Sequence, residues 1–212
     1  MNAALLAEPV ASPDGSVTLG GTDAILSSIL DPAVQLALWR RRRPAVLDWV
    51  DTLEWDIIDD VDSRIGGPAF APGIERLLRN AGYPQTTEGH ALTAEIVRLV
   101  ERFSRLMNCR SLRFRLEVIE TDACRKFHVD YVKARLLLPL SGPGTQWIDL
   151  GDGETPPVRQ LACGDVGIFK GRLSVEEPTI LHRSPPIAAS GETRLLLALD
   201  PADERSTTEY LP

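Results

Sequence analysis

Phe127-His128-Val129-Asp130-Tyr131-Val132-Lys133-Ala134-Arg135-Leu136-Leu137-Leu138-Pro139-Leu140 is the stretch on which the fold of this chain turns. Its second half, Ala134 to Leu140, is short and almost wholly apolar, which reads as a buried strand. Its first half sets a histidine and an aspartate two residues apart. On an extended segment residues i and i+2 point the same way, so His128 and Asp130 can grip one ion from a single element. The chain holds three histidines, and another of them, His182, follows the apolar pair Ile180-Leu181. Two imidazoles and one carboxylate on one face of an octahedron leave three positions open. Arg194 then offers a planar fork of donors suited to a carboxylate-bearing co-substrate. The triplet alone is also compatible with a surface pair beside a core histidine.

Moving outward, the period of the sequence switches near residue 110. Downstream, Leu112, Phe114, Leu116 and Val118 alternate with Arg113, Arg115 and Glu117, the pattern of a half-buried strand. Gly142-Pro143-Gly144 turns the chain, and Gln146-Trp147-Ile148 resumes extended structure. Short strands are predicted over 158–161, 166–169, 179–182 and 193–199, with a Gly/Asp/Pro loop at 151–157.

Upstream the pattern is helical. Asp31-Pro32 predicts a helix start, with Val34, Leu36, Leu38 and Trp39 inside it and an end before Pro44. A second helix opens at Pro44 with Leu47 and Val50, and a third carries Ile74, Leu77 and Leu78 after the breaker Gly66-Gly67-Pro68. Over about 87–107, Leu92, Ile96, Leu99, Phe103 and Leu106 form one stripe, opposite Glu95, Arg98, Glu101, Arg102 and Arg105. His90 lies at the start of that helix and reads as a surface or capping residue. The predicted organisation is a flexible arm over 1–24, a helical region over 25–108, a β-rich core over 109–200 and a tail over 201–212. Helices followed by six or seven short strands make an α+β chain whose second half is a sandwich or jelly roll, a fold shared with cupins.

Composition narrows the function. A chain of 212 residues with 43% hydrophobic and 25% charged residues is an ordinary globular protein. The net charge of −7 argues against a general nucleic-acid or anionic-membrane binder. The run Arg40-Arg41-Arg42-Arg43 reads as a solvated helix end with local ion pairs, or as a docking patch for an acidic partner. No segment is apolar enough to span a membrane, and the start lacks a secretory pattern, so a cytoplasmic location is expected. Cys109, Cys124 and Cys163 are odd in number and make no CxxC, so no disulfide framework is expected. No P-loop, G-x-G-x-x-G or G-x-S-x-G motif is present.

The order His128-x-Asp130, the turn and strand Cys163-Gly164-Asp165-Val166-Gly167-Ile168-Phe169, the distal His182, and Arg194 opening the strand Leu195–Leu199 resembles the double-stranded β-helix of Fe(II)/2-oxoglutarate-dependent oxygenases. The resemblance spans about 112–200. It implies Fe(II) held by His128, Asp130 and His182, and 2-oxoglutarate held through its far carboxylate by Arg194. More closely, Phe127-His128-Val129-Asp130, Gly142-Pro143-Gly144-Thr145-Gln146-Trp147, His182-Arg183-Ser184-Pro185-Pro186 and Arg194-Leu195-Leu196-Leu197 resemble the bacterial family called domain of unknown function 1826. Members of that family stand near genes for zinc-homeostasis GTPases, which implies a role in metal supply. The expected partner is therefore a small-molecule substrate or a metal-handling protein.

Several residues carry two readings. Arg135 could hold a substrate or co-substrate carboxylate, or could pair with a nearby buried acid. On a regular strand it faces away from Asp130, unless the chain bends. Trp147 and Tyr131 could line a pocket, with core packing the plainer role for Trp147. Pro185-Pro186 would stiffen the backbone after His182. Cys124 could supply a fourth, thiolate ligand and turn the site toward zinc in a non-catalytic role, or could be a plain thiol.

Overall fold

The structure, a computed structural model, describes residues 10–11, 15–67 and 69–202. The described residues form eleven strands: β1 Val10–Ala11, β2 Val17–Gly20, β3 Leu36–Trp39, β4 Val61–Gly66, β5 Ser111–Ile119, β6 Ala134–Ser141, β7 Gln146–Asp149, β8 Arg159–Gln160, β9 Val166–Lys170, β10 Ile180–Arg183 and β11 Arg194–Pro201. Three α-helices accompany them, α1 Val46–Val50, α2 Ala71–Asn80 and α3 Thr87–Met107, with a 3-10 helix at Asp23–Leu30.

The strands form an eight-stranded sheet, β1-β2-β3-β9-β6-β11-β5-β4, and a three-stranded sheet, β10-β7-β8. A lone antiparallel bridge between His128 and His182 adds the H-x-D segment to the free edge of the small sheet, beside β10. From β5 onward the chain therefore crosses between sheets: β5 large, residue 128 small, β6 large, β7 and β8 small, β9 large, β10 small, β11 large. That order is a double-stranded β-helix, with helices packed on the outer face of its large sheet.

The large sheet is the middle of three layers, and the pleat shows why its strands are apolar throughout. In β11, Leu195, Leu197 and Leu199 belong to the core formed with α1, α2 and α3, while Leu196 and Ala198 belong to the core between the sheets. In β6, Leu136, Leu138 and Leu140 face the helices and Leu137 faces inward. Strands covered on both sides lose alternation. β5 keeps it: Leu112, Phe114 and Leu116 are fully buried, whereas Arg113, Arg115 and Glu117 line the other face. β6 admits Pro139 in mid-sheet because the pairing with β11 shifts register there, between Leu195 and Leu196.

α3 follows its stripe. Thr86 caps it by accepting from the N–H of Gly89, Leu92, Ile96, Leu99 and Phe103 are buried, and Asn108 ends it in the left-handed region at φ 46°. α1 and α2 bury Leu47, Val50, Ile74 and Leu78 as expected.

The first third departs from expectation. The helix expected from Asp31 is absent. Asp31 instead starts a turn in which its side chain accepts from the N–H of Ala33 at 2.9 Å, and Leu36–Trp39 is a strand between β2 and β9. Leu36, Ala37 and Leu38 are buried on both faces, and a short continuous apolar run has no period to separate helix from strand. β2, inside the expected arm, pairs in parallel with β3, and β4 pairs with β5, so the region before 109 is part of the same sheet as the core. The remainder of the arm, Pro68 of the breaker and the tail from 203 lie outside the described residues. The arginine run is a connection after β3, not a helix end; Arg43 does pair locally, with Asp48 and Asp51. Among the described residues no helix is long and apolar enough to cross a membrane.

Leu197, fully buried between β11 and the helices, supplies a direct test of this layering. Leu197→Ala is expected to lower the unfolding free energy by about 2–5 kcal/mol, read by chemical denaturation. A surface position would lose less than ~0.5 kcal/mol.

Candidate metal centre and co-substrate pocket

His128 and His182 are cross-strand partners. Each backbone N–H donates to the other's carbonyl oxygen at 3.0 Å, and their rings stand 4.7 Å apart. Asp130 follows on the loop into β6, its own carbonyl tied by the N–H of Arg172 at 2.9 Å. One ligand atom from each of His128, Asp130 and His182 can be chosen so that all lie within 4.8 Å of one another. Donors on one ion with bonds of about 2.1 Å would stand about 3 Å apart, and His182 Nε2 is 3.0 Å from Asp130 Oδ2, while His128 Nε2 lies 3.6 Å from the other carboxylate oxygen, Oδ1. His128 Nδ1 lies 2.9 Å from the Lys126 carbonyl oxygen, which puts the ring proton there and leaves Nε2 for a ligand.

The electrostatics suit a cation. Burial would raise the pKa of Asp130, but His128, His182 and Arg135 outweigh it and hold the carboxyl well below the usual range, so it is ionised. Burial holds His182 below its ordinary pKa despite the pull of Asp130. His128 is raised, chiefly by its hydrogen bond with Asp130 and against its own desolvation. His182 Nε2 lies 3.0 Å from Asp130 Oδ2, a buried oxygen with no other partner. Two imidazoles and a carboxylate are a donor set that suits a divalent transition metal.

Arg194 is the second unusual group. It opens β11 on the inward face, is 0% exposed, and has no acid within ion-pairing distance among the described residues. Its Nη2 reaches Thr145 Oγ1 at 3.3 Å, while Nε and Nη1 have no hydrogen-bond partner. Burial pushes its pKa down to about 10, a large shift for a guanidinium. The turn before β7 is pressed against it: a Cβ on Gly142, at φ +69°, would meet the Thr193 carbonyl oxygen at 2.4 Å and Arg194 Cα at 2.9 Å. That packing gives the glycine turn a structural reason and brings Thr145 to the guanidinium.

A cavity of about 390 Å³ is lined by His128, His182, Arg135, Leu137 and Leu196 and by Thr145, whose hydroxyl is the group that Arg194 reaches. Arg135 is not free for a ligand carboxylate. Bends at residues 131–133 break the strand before β6 and turn it toward Asp130, against the alternation expected of a regular strand. Its Nη1 pairs with Asp130 Oδ1 at 2.5 Å, and its Nε and Nη2 donate to Asp200 at 2.6 and 2.8 Å. Asp200 and Arg115, which joins it at 3.2 Å, are site residues that sequence reasoning missed. The available signal was the alternation of β11: counting by twos from Arg194 along the inward face gives Leu196, Ala198 and then Asp200.

Cys124 sits at the mouth, exposed and at φ 60°, and is not part of the metal-holding group. Trp147 is core, 2% exposed, and Tyr131 is 78% exposed and does not line the cavity. Pro185 and Pro186 follow β10 after one residue, Ser184.

A family model described as "Protein of unknown function (DUF1826)" matches residues 21–200. The chain belongs to that family. No curated protein matches this DUF1826 member. Among solved structures it is similar to the dioxygenase for auxin oxidation of rice, at 13% identity and TM-score 0.49, covering 81% of this chain and 75% of that one. The corresponding Arabidopsis thaliana protein, solved as its 2-oxoglutarate binary complex, gives 10% identity and TM-score 0.47 over 78% and 75%. An oxidoreductase of the 2OG-Fe(II) oxygenase family from Burkholderia pseudomallei gives 13% identity and TM-score 0.43 over 90% and 92%. The strand order above, rather than these distant likenesses, establishes the fold of the DUF1826 chain.

A buried arginine without an acid destabilises the protein that carries it. Arg194→Met is therefore expected to raise the unfolding free energy of the ligand-free protein by about 1–4 kcal/mol, measured by denaturant titration. A loss of stability instead would mean that the arginine serves the fold.

Proposed function

We propose that this protein is an Fe(II)- and 2-oxoglutarate-dependent oxygenase acting on a small-molecule substrate. The observation that carries the reading is Arg194: a guanidinium removed from water, with no acid in ion-pairing distance among the described residues, and linked through Thr145 to the cavity that His128 and His182 also line. The missing partner has to be an anion, and a carboxylate matches the fork. His128, Asp130 and His182 would hold Fe(II), and Arg194 with Thr145 would take the far carboxylate of 2-oxoglutarate. Dioxygen would be the oxidant, and the bound metal and 2-oxoglutarate, the latter oxidised with loss of CO2, would supply the chemistry that activates it and that no side chain has.

The chain's own residues then have three tasks. His128 and His182 are kept in register by their paired backbone hydrogen bonds, so the two imidazoles approach from one rigid bridge. Asp130 is kept ionised by its neighbours. Leu137, Leu196 and Ala198 floor the cavity with carbon, which excludes water and strengthens every charge interaction above them. The alternative of a closed zinc site in metal homeostasis has no such support, because Cys124 stands outside the metal-holding group.

The test is anaerobic titration of the protein with Fe(II), then with 2-oxoglutarate, followed by visible absorption. A charge-transfer band is expected only with both present, lost in His128→Ala and Asp130→Ala through loss of metal, and weakened at least tenfold in 2-oxoglutarate affinity by Arg194→Met. Stoichiometric zinc with no response to 2-oxoglutarate would sink the proposal.

A further inference from the structure

β5, β11 and β6 are adjacent, and their pairing sets Ala198 opposite both Arg115 and Leu137. Asp200, one pleat farther along β11 on the same face, thereby comes between Arg115 and Arg135. Asp200 is 4% exposed, and its carboxylate takes three hydrogen bonds: Nε and Nη2 of Arg135 at 2.6 and 2.8 Å, and Nη2 of Arg115 at 3.2 Å. The Arg135 pair is the fork-on-fork arrangement, which fixes the guanidinium plane as well as its position. The third nitrogen, Nη1, is then aimed at Asp130 Oδ1, 2.5 Å away. Asp130 is left with one oxygen committed and one, Oδ2, buried without a hydrogen-bond donor and facing His182.

We infer that Arg135 and Asp200 are positioning residues for the metal centre: Asp200, braced by Arg115, locks Arg135, and Arg135 occupies Oδ1 of Asp130 so that the carboxylate offers the metal Oδ2 alone. This rests on the metal-site reading above. A carboxylate free at both oxygens can bind an ion through one or both. Binding through both would use up a position that an open, three-ligand site keeps for other molecules. A charge-assisted hydrogen bond on one oxygen removes that choice before any metal arrives. The arrangement also explains why two arginines and two aspartates are placed together in a half-buried wall, where each needs its partner.

Asp200→Asn leaves every buried charge paired, and Arg135→Gln leaves only Asp130 without its guanidinium, still facing the imidazoles of His128 and His182. Without Arg135, Asp200 retains Arg115; without the Asp200 charge, Arg135 retains Asp130 and Arg115 retains Glu117 at 3.9 Å. Both proteins should therefore fold, which thermal unfolding without metal checks. The probe is Co(II), titrated into the full chain, with affinity from calorimetry and coordination number from the intensity of the visible bands. We expect the unaltered protein to bind one Co(II). Arg135→Gln should weaken binding 10–100-fold, the range for losing a group that orients a metal ligand, and change the band intensity. Asp200→Asn should move both readouts the same way by less. Arg135→Lys should not restore them, since one ammonium cannot serve two carboxylates in a fork. If the unaltered protein binds Co(II) and the variants match it in affinity and spectrum, the positioning role is overturned while the triad stands. If the unaltered protein binds no Co(II), the triad reading fails and this inference falls with it.

Discussion

β11 is a strand with two faces that cannot be exchanged, and the rest of the protein is arranged around that constraint. One face carries Leu195, Leu197 and Leu199 into the helical layer. The other carries Arg194, Leu196, Ala198 and Asp200 into the space between the sheets. A slip of one residue would send three leucines into the cavity and two charges into the apolar core, at a cost of several kcal/mol for each buried ion. Register is thus held by hydrophobic burial on one side, and the same register delivers both ends of the proposed site on the other: Arg194 at the end proposed for the co-substrate and Asp200 behind the candidate metal cluster.

The two charges on that face are treated differently. Asp200 is met by Arg115 and Arg135 and is satisfied within the protein. Arg194 is met by a single hydroxyl, that of Thr145. A protein whose total stability is on the order of 5–15 kcal/mol does not tolerate a desolvated, unpaired guanidinium without return. The imbalance marks where a ligand belongs more clearly than cavity shape does, because the cavity wall itself is a mixture of apolar side chains, hydroxyls and charges that already have partners.

The core of this arrangement was legible in the sequence. The alternation of 112–118, the apolar run 134–140 and the turns around 142–144 and 164 each reflect a local physical rule, and the strands lie where they place them. The stripe of α3 was equally clear, down to its end at Asn108. Leu36–Trp39 was opaque because a strand enclosed between β2 and β9, and buried on both faces, has the same apolar run as a buried helical turn, and Asp31-Pro32 begins turns as readily as helices. β4 was hidden by its acids: only Val61 and Ile65 are buried, too few to show a period. At the site, the spacing of His128 and Asp130 and the solitary His182 and Arg194 were readable from residue type. The turn of Arg135 toward Asp130 was not, since it depends on bends at 131–133 that no residue there demands. Asp200 needed the three-strand register, a long-range property that only the folded sheet supplies.

The measurement that bears most directly on this account is a crystal structure of the protein grown anaerobically with Mn(II), as a stand-in for Fe(II), and 2-oxoglutarate, with anomalous scattering to locate the metal. The account predicts one anomalous peak bonded to His128 Nε2, Asp130 and His182 Nε2, with a carboxylate of 2-oxoglutarate on Arg194 and Thr145. A peak elsewhere, or an Arg194 that keeps its bare guanidinium while 2-oxoglutarate sits away from it, would contradict the account.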